Sequence, residues 1–164
     1  MPAILNLIEN AHCVQSLVPA TDAAGRTGDY ANVKNAAKAY AVVHIDQANA
    51  APINISLMQA KDAAGTAAKA VTALMRTAVT IDCAAASGDV LVEQAAAASY
   101  TTDAGVKRKI VVIEVDCLAA LDQQNGFTWI AIKTGASNVA NLTTGLVWLS
   151  ALRYQEKPAL SARV

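Results

Sequence analysis

The sequence predicts a mainly β fold: a β-sandwich or jelly-roll-like single domain with one short helix. Three observations carry that expectation. Runs of β-branched residues recur, most clearly from Lys109 to Val115. Apolar and polar side chains alternate with a period of two, as from Pro52 to Ala60. Turn residues separate roughly seven or eight such short segments, the spacing of an all-β domain.

Taken in order, the N-terminal segment (about residues 1–20) carries the apolar but short set Ile4, Leu7 and Ile8, which mark it as a candidate contact arm. Ala24-Gly25-Arg26-Thr27-Gly28-Asp29 reads as a loop, its two glycines permitting tight turns with positive φ. From Ala39 to Asp46 a strand is expected, with Tyr40, Val42, His44 and Asp46 on one face and Ala41, Val43 and Ile45 on the other. Pro52 is tolerated at a strand start. The short link between these two strands predicts a hairpin. Lys61 to Gly65 reads as a turn and Val71 to Ile81 as a strand. Gly88-Asp89 marks a turn before the short strand Val90-Leu91-Val92, whereas Ala95 to Ala98 fits a loop or a helical turn equally. Thr101 to Gly105 reads as loop.

The continuous run Lys109 to Val115 predicts a buried strand. Asp116 then suits the N-cap of a short helix, Cys117 to Leu121, because its carboxylate accepts from free backbone N–H groups. Gly126 suits the stop. Phe127 to Lys133 alternates, Thr134 to Asn141 is a polar turn, and Leu142 to Arg153 is a final strand. The tail from about residue 154 to 164 is a second candidate arm, with Arg153 and Tyr154 as contact residues of a kind favoured at interfaces. No repeat of 20–50 residues points to a solenoid or propeller.

Composition narrows the function classes. The chain has 164 residues, enough for one domain with a real core. Thirteen basic and thirteen acidic residues give zero net charge, and 54% of residues are hydrophobic. That excludes a disordered chain and leaves no excess of cations for nucleic acid. Only 16% of residues are charged, against about 25% in typical globular chains, which favours association. Alanine accounts for 37 residues and aromatics for 4%, so the core is thin and gains from neighbours in an oligomer. No apolar run suggests a membrane span. Met1 to Asn10 lacks the basic start of a secretory signal. Without one, the sequons Asn54-Ile55-Ser56 and Asn141-Leu142-Thr143 are chance matches. Cys13, Cys83 and Cys117, an odd and widely spaced set, read as reduced, small, buried hydrophobes of a protein made in the cytoplasm.

Chemical motifs are scarce. The Gly25 to Asp29 stretch lacks the Lys and hydroxyl of a phosphate loop, and Asp29 would repel phosphate. His12 and Cys13 are adjacent, so on a strand they point to opposite faces and cannot meet as a nucleophilic pair. His44 reads as a partly exposed polar residue. Glu114 and Asp116 could share a side, but Asp116 has the competing role of a cap. No G-x-S-x-G elbow occurs. We therefore expect no enzyme, no catalytic residue, no cofactor and no metal.

Several stretches together resemble the small structural proteins that tailed bacteriophages encode among their head genes. They are Ala23-Ala24-Gly25-Arg26-Thr27-Gly28-Asp29-Tyr30, Val33-Lys34-Asn35-Ala36, and Tyr40-Ala41-Val42-Val43-His44-Ile45. Leu91-Val92-Glu93-Gln94, Ser99 to Ala104 and Lys109 to Asp116 follow, then Asn125-Gly126-Phe127, Lys133 to Asn138 and Ala151-Leu152-Arg153-Tyr154. Their order along most of the chain carries the resemblance; the Ala-rich stretch from Ala63 to Ala98 departs from it. The resemblance implies a virion component on the capsid surface, made in the host cytoplasm. It is most consistent with a decoration or cement protein that binds the major capsid protein from outside, commonly as a trimer. Two alternatives stay open: a head–tail joining or tail subunit, and a carbohydrate- or receptor-binding β-sandwich using Tyr40, Tyr100 and Trp129.

Overall fold

A computed structural model of the chain describes residues 11–152. The candidate contact residues Ile4, Leu7, Ile8, Arg153 and Tyr154 lie outside these. The strands are β1 (His12–Thr21), β2 (Arg26–Thr27), β3 (Ala31–Asn32), β4 (Ala36–Asp46), β5 (Asn54–Ala60) and β6 (Lys69–Ala70). They continue as β7 (Met75–Thr80), β8 (Val92–Ala97), β9 (Ser99–Thr101), β10 (Arg108–Asp116), β11 (Trp129–Thr134) and β12 (Leu142–Leu152). One helical turn, α1 (Cys117–Ala120), and a 3-10 turn, Gln123–Asn125, follow β10.

Two antiparallel sheets pack as a sandwich. The first has six strands in the order β1-β12-β4-β10-β7-β8. In the second, β11 lies between the short β2 and β3 and the longer β5, whose far side carries β9 and β6. The core lies between them. Leu17, Val43, Ile45, Val111, Ile113 and Val147 meet Ile53, Ile55, Leu57, Ile130 and Ile132, all buried. The inner face of the first sheet is also lined by small residues. Ala39 and Ala41 of β4 are fully buried there. Gly145 of β12 is another: an added Cβ would sit 2.7 Å from Ile132 Cδ1, so its missing side chain lets the sheets close.

The expected strands from Ala39, Pro52, Lys109, Phe127 and Leu142 are present, but not the expected hairpin. β4 pairs with β12 and β10, whereas β5 belongs to the other sheet. The link crosses the end of the sandwich because its polar groups are claimed there. Gln47 is buried, its N–H donating to Lys107 O (3.2 Å), and Asn49 N–H donates to Asn141 Oδ1 (2.7 Å). Ala95 to Ala97, which carry no periodic signal, form the second half of β8. From His12 onward the N-terminal segment is β1, paired to β12 and no longer free to act as an arm.

Arg26 ties the sheets together at the polar end. Its Nη1 donates to Val18 O (2.5 Å), and its Nη2 to Ala20 O (3.2 Å) and to Thr143 O and Oγ1 (2.5 and 2.9 Å). Its Nε donates to Asp22 Oδ1 (3.2 Å), which also accepts from Thr134 Oγ1 of β11 (2.5 Å). Of the two loop glycines, only Gly25 has positive φ (+69°). Gly28 is required for close approach instead: a Cβ there would lie 2.3 Å from Ser16 O.

At the opposite end, Asp116 caps α1 as expected, accepting from Leu118 N (3.0 Å) and Ala119 N (3.1 Å). Gly126 ends the 3-10 turn at φ +86°. Phe127 is buried beneath the ammonium groups of Lys69 and Lys61, 4.0 and 5.3 Å from its ring centre. The cysteines do not form the uniformly buried set expected. Cys117 is buried, Cys83 half-buried and Cys13 exposed, because Cys13 lies on the outer side of an edge strand.

Candidate functional site

The outer face of the first sheet is the surface that stands out. In its first half β4 turns Ala39 and Ala41 inward and Tyr40 and Val42 outward; farther along, Val43 and Ile45 join the core while His44 faces out. β10 also turns Ile110 and Val112 outward, and β12 Leu146 and Trp148. The apolar run in β10 is therefore not a fully buried strand. Its alternate residues Val111, Ile113 and Val115 are buried, while Ile110, Val112 and Glu114 stay partly exposed on the outer face. Outer faces of sandwiches are usually polar.

Register brings these residues together. One row across the sheet reads Gln15, Leu146, Val42, Val112, Ala78, Glu93. The next reads Cys13, Trp148, Tyr40, Glu114, Arg76. A third carries Thr144, His44, Ile110 and Thr80. Trp148 and Tyr40 thus face each other across neighbouring strands, an aromatic pair hidden in the sequence by the distance between them. Side chains in mid-sheet shade one another laterally, so the exposure left to all six apolar residues is exposure from above.

Charged residues border this block. On the α1 side, the Glu114 carboxylate accepts from Lys38 Nζ and pairs with Arg76 Nη1 (3.5 Å), and Arg76 Nε donates to Glu93 Oε1 (2.9 Å). These partners hold the Glu93 carboxyl below its usual range through Arg76, and raise Lys38 through Glu114. At the other end Arg108 lies 3.9 Å from Asp46. A hollow of about 200 Å³ opens between Tyr40, Arg76, Leu91, Val112 and Glu114, on the scale of one inserted side chain. An apolar, aromatic-bearing centre with a charged rim is the anatomy of a protein contact surface.

A second opening lies at the β8 side. It measures about 560 Å³ and is walled by Val79, Val92, Tyr100, Asp82, Asp103 and Lys107. Lys107 Nζ pairs with Asp82 (2.7 Å), and the buried Lys109 Nζ donates to Asp103 Oδ1 (2.7 Å), Asp103 O (3.0 Å) and Gln47 Oε1 (2.8 Å). All three ammonium protons of Lys109 thus have acceptors, a structural arrangement.

The other residues singled out from the sequence are dispersed. Tyr40 lies on the outer face, Tyr100 in the β8-side opening, and Trp129 is buried on the second sheet, so the three make no common sugar platform. Glu114 and Asp116 serve an ion pair and a helix cap respectively. His44 is exposed on the outer face. Among the described residues, no group of three or more His, Cys, Asp or Glu could hold a metal ion. No helix among them is long and apolar enough to cross a membrane.

The antiparallel sandwich class is thus established. No protein-family model matches this chain, and no curated protein matches it. Among solved structures it is similar to the SPBc2 prophage-derived protein YomS, with 14% identity, a TM-score of 0.47, and coverage of 86% of this chain and 94% of that one. It is more weakly similar to a chain of the Triatoma virus empty capsid, with 11% identity, a TM-score of 0.33, and coverage of 99% and 100%. At these scores the likenesses bear on architecture and carry nothing into the functional argument.

Proposed function

We propose that this chain is a non-enzymatic virion structural protein. It acts as a capsid decoration or cement protein that binds the outside of the major capsid shell through the outer face of its six-stranded sheet. The observation that carries the contact surface is the apolar, aromatic-bearing block on the outer face, Tyr40 and Val42 of β4 in register with Val112, Leu146 and Trp148. The sequence resemblance to head-gene proteins supplies the partner.

The mechanism is mass action. A protein that binds only the assembled shell stabilises it by RT ln(1 + [L]/Kd) per site. An apolar centre gives the contact its energy at about 25 cal/mol per Å² removed from water. The charged rim of Lys38, Glu114, Arg76 and Glu93 sets orientation, because unmatched charges on the partner face are costly. Self-association adds avidity, since several linked contacts to one shell hold more tightly than one.

The test is co-sedimentation of the purified chain with expanded shells of the same phage that lack it. Saturation at a fixed ratio to the major capsid protein, with a rise in the shell's melting temperature, is the expected result. Failure to bind over a wide concentration range overturns the decoration role.

A further inference from the structure

We infer that the opening beside β8 is a binding site for a neutral sugar, which lays one face against Val79, Val92 and the Tyr100 ring and gives its hydroxyls to the polar side chains around them. This site is independent of the outer face and its shell partner. Val92 pairs with Val79, so both point to the inner side of the first sheet. Tyr100 pairs with Ile55 of β5, a core residue, so it points to the inner side of the second sheet and packs against the core. The cavity therefore lies between the two sheets, at their β8 and β9 edges, which Ala98 alone joins. Val79 is buried, yet Val92 beside it is 58% exposed. Apolar inner-face surface without a layer opposite makes the hollow. Its volume of about 560 Å³ falls within the roughly 300–1,000 Å³ of small-molecule sites.

The polar walls have hydrogen-bonding capacity to spare. The hydroxyls of Tyr100 and Ser87 make no hydrogen bond to any described residue. Burial, with Asp103 nearby, pushes the Tyr100 phenol above its usual range, so it stays protonated and can donate. Gln94 Nε2 donates to Val92 O (3.1 Å), which leaves its Oε1 open. Asp103 Oδ1 accepts from Lys109 Nζ and from Gly105 N (both 2.7 Å), which leaves Oδ2 open. Lys107 Nζ pairs with Asp82 (2.7 Å) and keeps two further protons. Donors, acceptors and two-way hydroxyls thus border the apolar floor.

The ligand class follows from what the walls reject. Each charge there already has a counter-charge, Asp82 with Lys107 and Asp103 with Lys109. An anion or a cation would have to break one of these pairs. A hydrocarbon would strip water from the open polar groups and return no hydrogen bond, at a cost for each. A pyranose ring avoids both costs. It is uncharged, one of its faces is lined by C–H groups, and its perimeter hydroxyls both donate and accept. The Tyr100 ring offers that face a broad flat surface. Asp103 Oδ2 and Gln94 Oε1 accept from the hydroxyls, and Lys107 donates to them.

The experiment titrates the assigned amide spectrum of the full chain with glucose, galactose, N-acetylglucosamine and rhamnose. N-methylacetamide, butyrate and butylamine serve as an uncharged amide, an anion and a cation for comparison. At least one sugar shifts the resonances of Val79, Val92, Gln94 and Tyr100 saturably, in the millimolar range of a ligand of about a dozen non-hydrogen atoms. The three comparison probes do not saturate. Tyr100→Phe keeps the ring and weakens the sugar by about threefold to tenfold, the loss of one hydrogen bond. Val92→Trp fills the hollow from an exposed position and abolishes binding. If Val92→Trp does not fold, Tyr100→Phe keeps the test. Saturation by none of the sugars overturns the inference, as do shifts that lie elsewhere on the chain. So does an amide or charged probe that binds as tightly as the sugar, which marks a peptide or ion site instead. Undiminished binding by a folded Val92→Trp, or by Tyr100→Phe, also overturns it.

Discussion

Replacing Arg26 with methionine tests how the sandwich is held closed. Asp22 is fully buried and Arg26 only 19% exposed. Asp22 Oδ1 accepts from Arg26 and Thr134, and Oδ2 has no hydrogen-bond partner among the described residues. In Arg26→Met the carboxylate keeps only the Thr134 hydroxyl, while Val18 O, Ala20 O and Thr143 O lose their donor. Breaking a buried pair on one side costs about 3–5 kcal/mol, against a total of about 5–15 kcal/mol for a typical domain. At about 2–4 °C per kcal/mol for a chain of this size, melting falls by about 6–20 °C. Adding Asp22→Leu removes the stranded charge, so the double variant is more stable than Arg26→Met alone. Urea unfolding of the three proteins is the assay. A loss under about 1 kcal/mol for Arg26→Met, or a double variant no better than the single one, refutes the closing role.

Three further outcomes follow from the same geometry. Gly28→Ala forces a Cβ to 2.3 Å from Ser16 O, a backbone atom that cannot swing away, so it destabilises by about 1–3 kcal/mol, read by thermal melting. Asp103 is held below the usual carboxylate range by its hydrogen bond from Lys109, with burial opposing. A lowered folded-state pKa gives stability that is complete above the unfolded value of about 3.9 and is lost as pH falls through the folded one. Asp103→Asn therefore costs more near pH 7 than near pH 3, by a modest amount because Asp103 is half exposed, and a pH-independent difference contradicts this. With a thiol reagent, Cys13 reacts first and Cys117 only on unfolding, which mass spectrometry of the labelled native protein checks.

The strands with strong local signals were legible: Ile110 to Val115 is β-branched in sequence and β10 in space, and Asp116 both looks like a cap and is one. β8 was not, because alanine is tolerated in every state and Ala95 to Ala97 carry no period. Pairing was not legible either. Local pattern says that a strand exists, but β4 and β5 are separated by a buried polar crossing at Gln47 that only the folded chain reveals. Lys109 begins an apolar run and points inward because Gln47 and Asp103 supply acceptors from distant loops. The candidate site had the same obstacle. Tyr40, Val42 and His44 share a face in the sequence pattern, but that this face is the uncovered one depends on which side meets Ile55 and Ile132. Trp148 joins Tyr40 only through the register of β12.

The claim most in need of test is that the outer face makes the shell contact. The direct measurement compares wild type with Val112→Lys in binding to expanded shells that lack the protein, after both are shown to fold alike by circular dichroism. Val112 lies mid-row between Val42 and Ala78, and a lysine there puts a charge at the centre of the apolar block. The account predicts saturable binding by wild type and at least about tenfold weaker binding by the variant, equivalent to about 1.4 kcal/mol. Equal binding by the two proteins contradicts it.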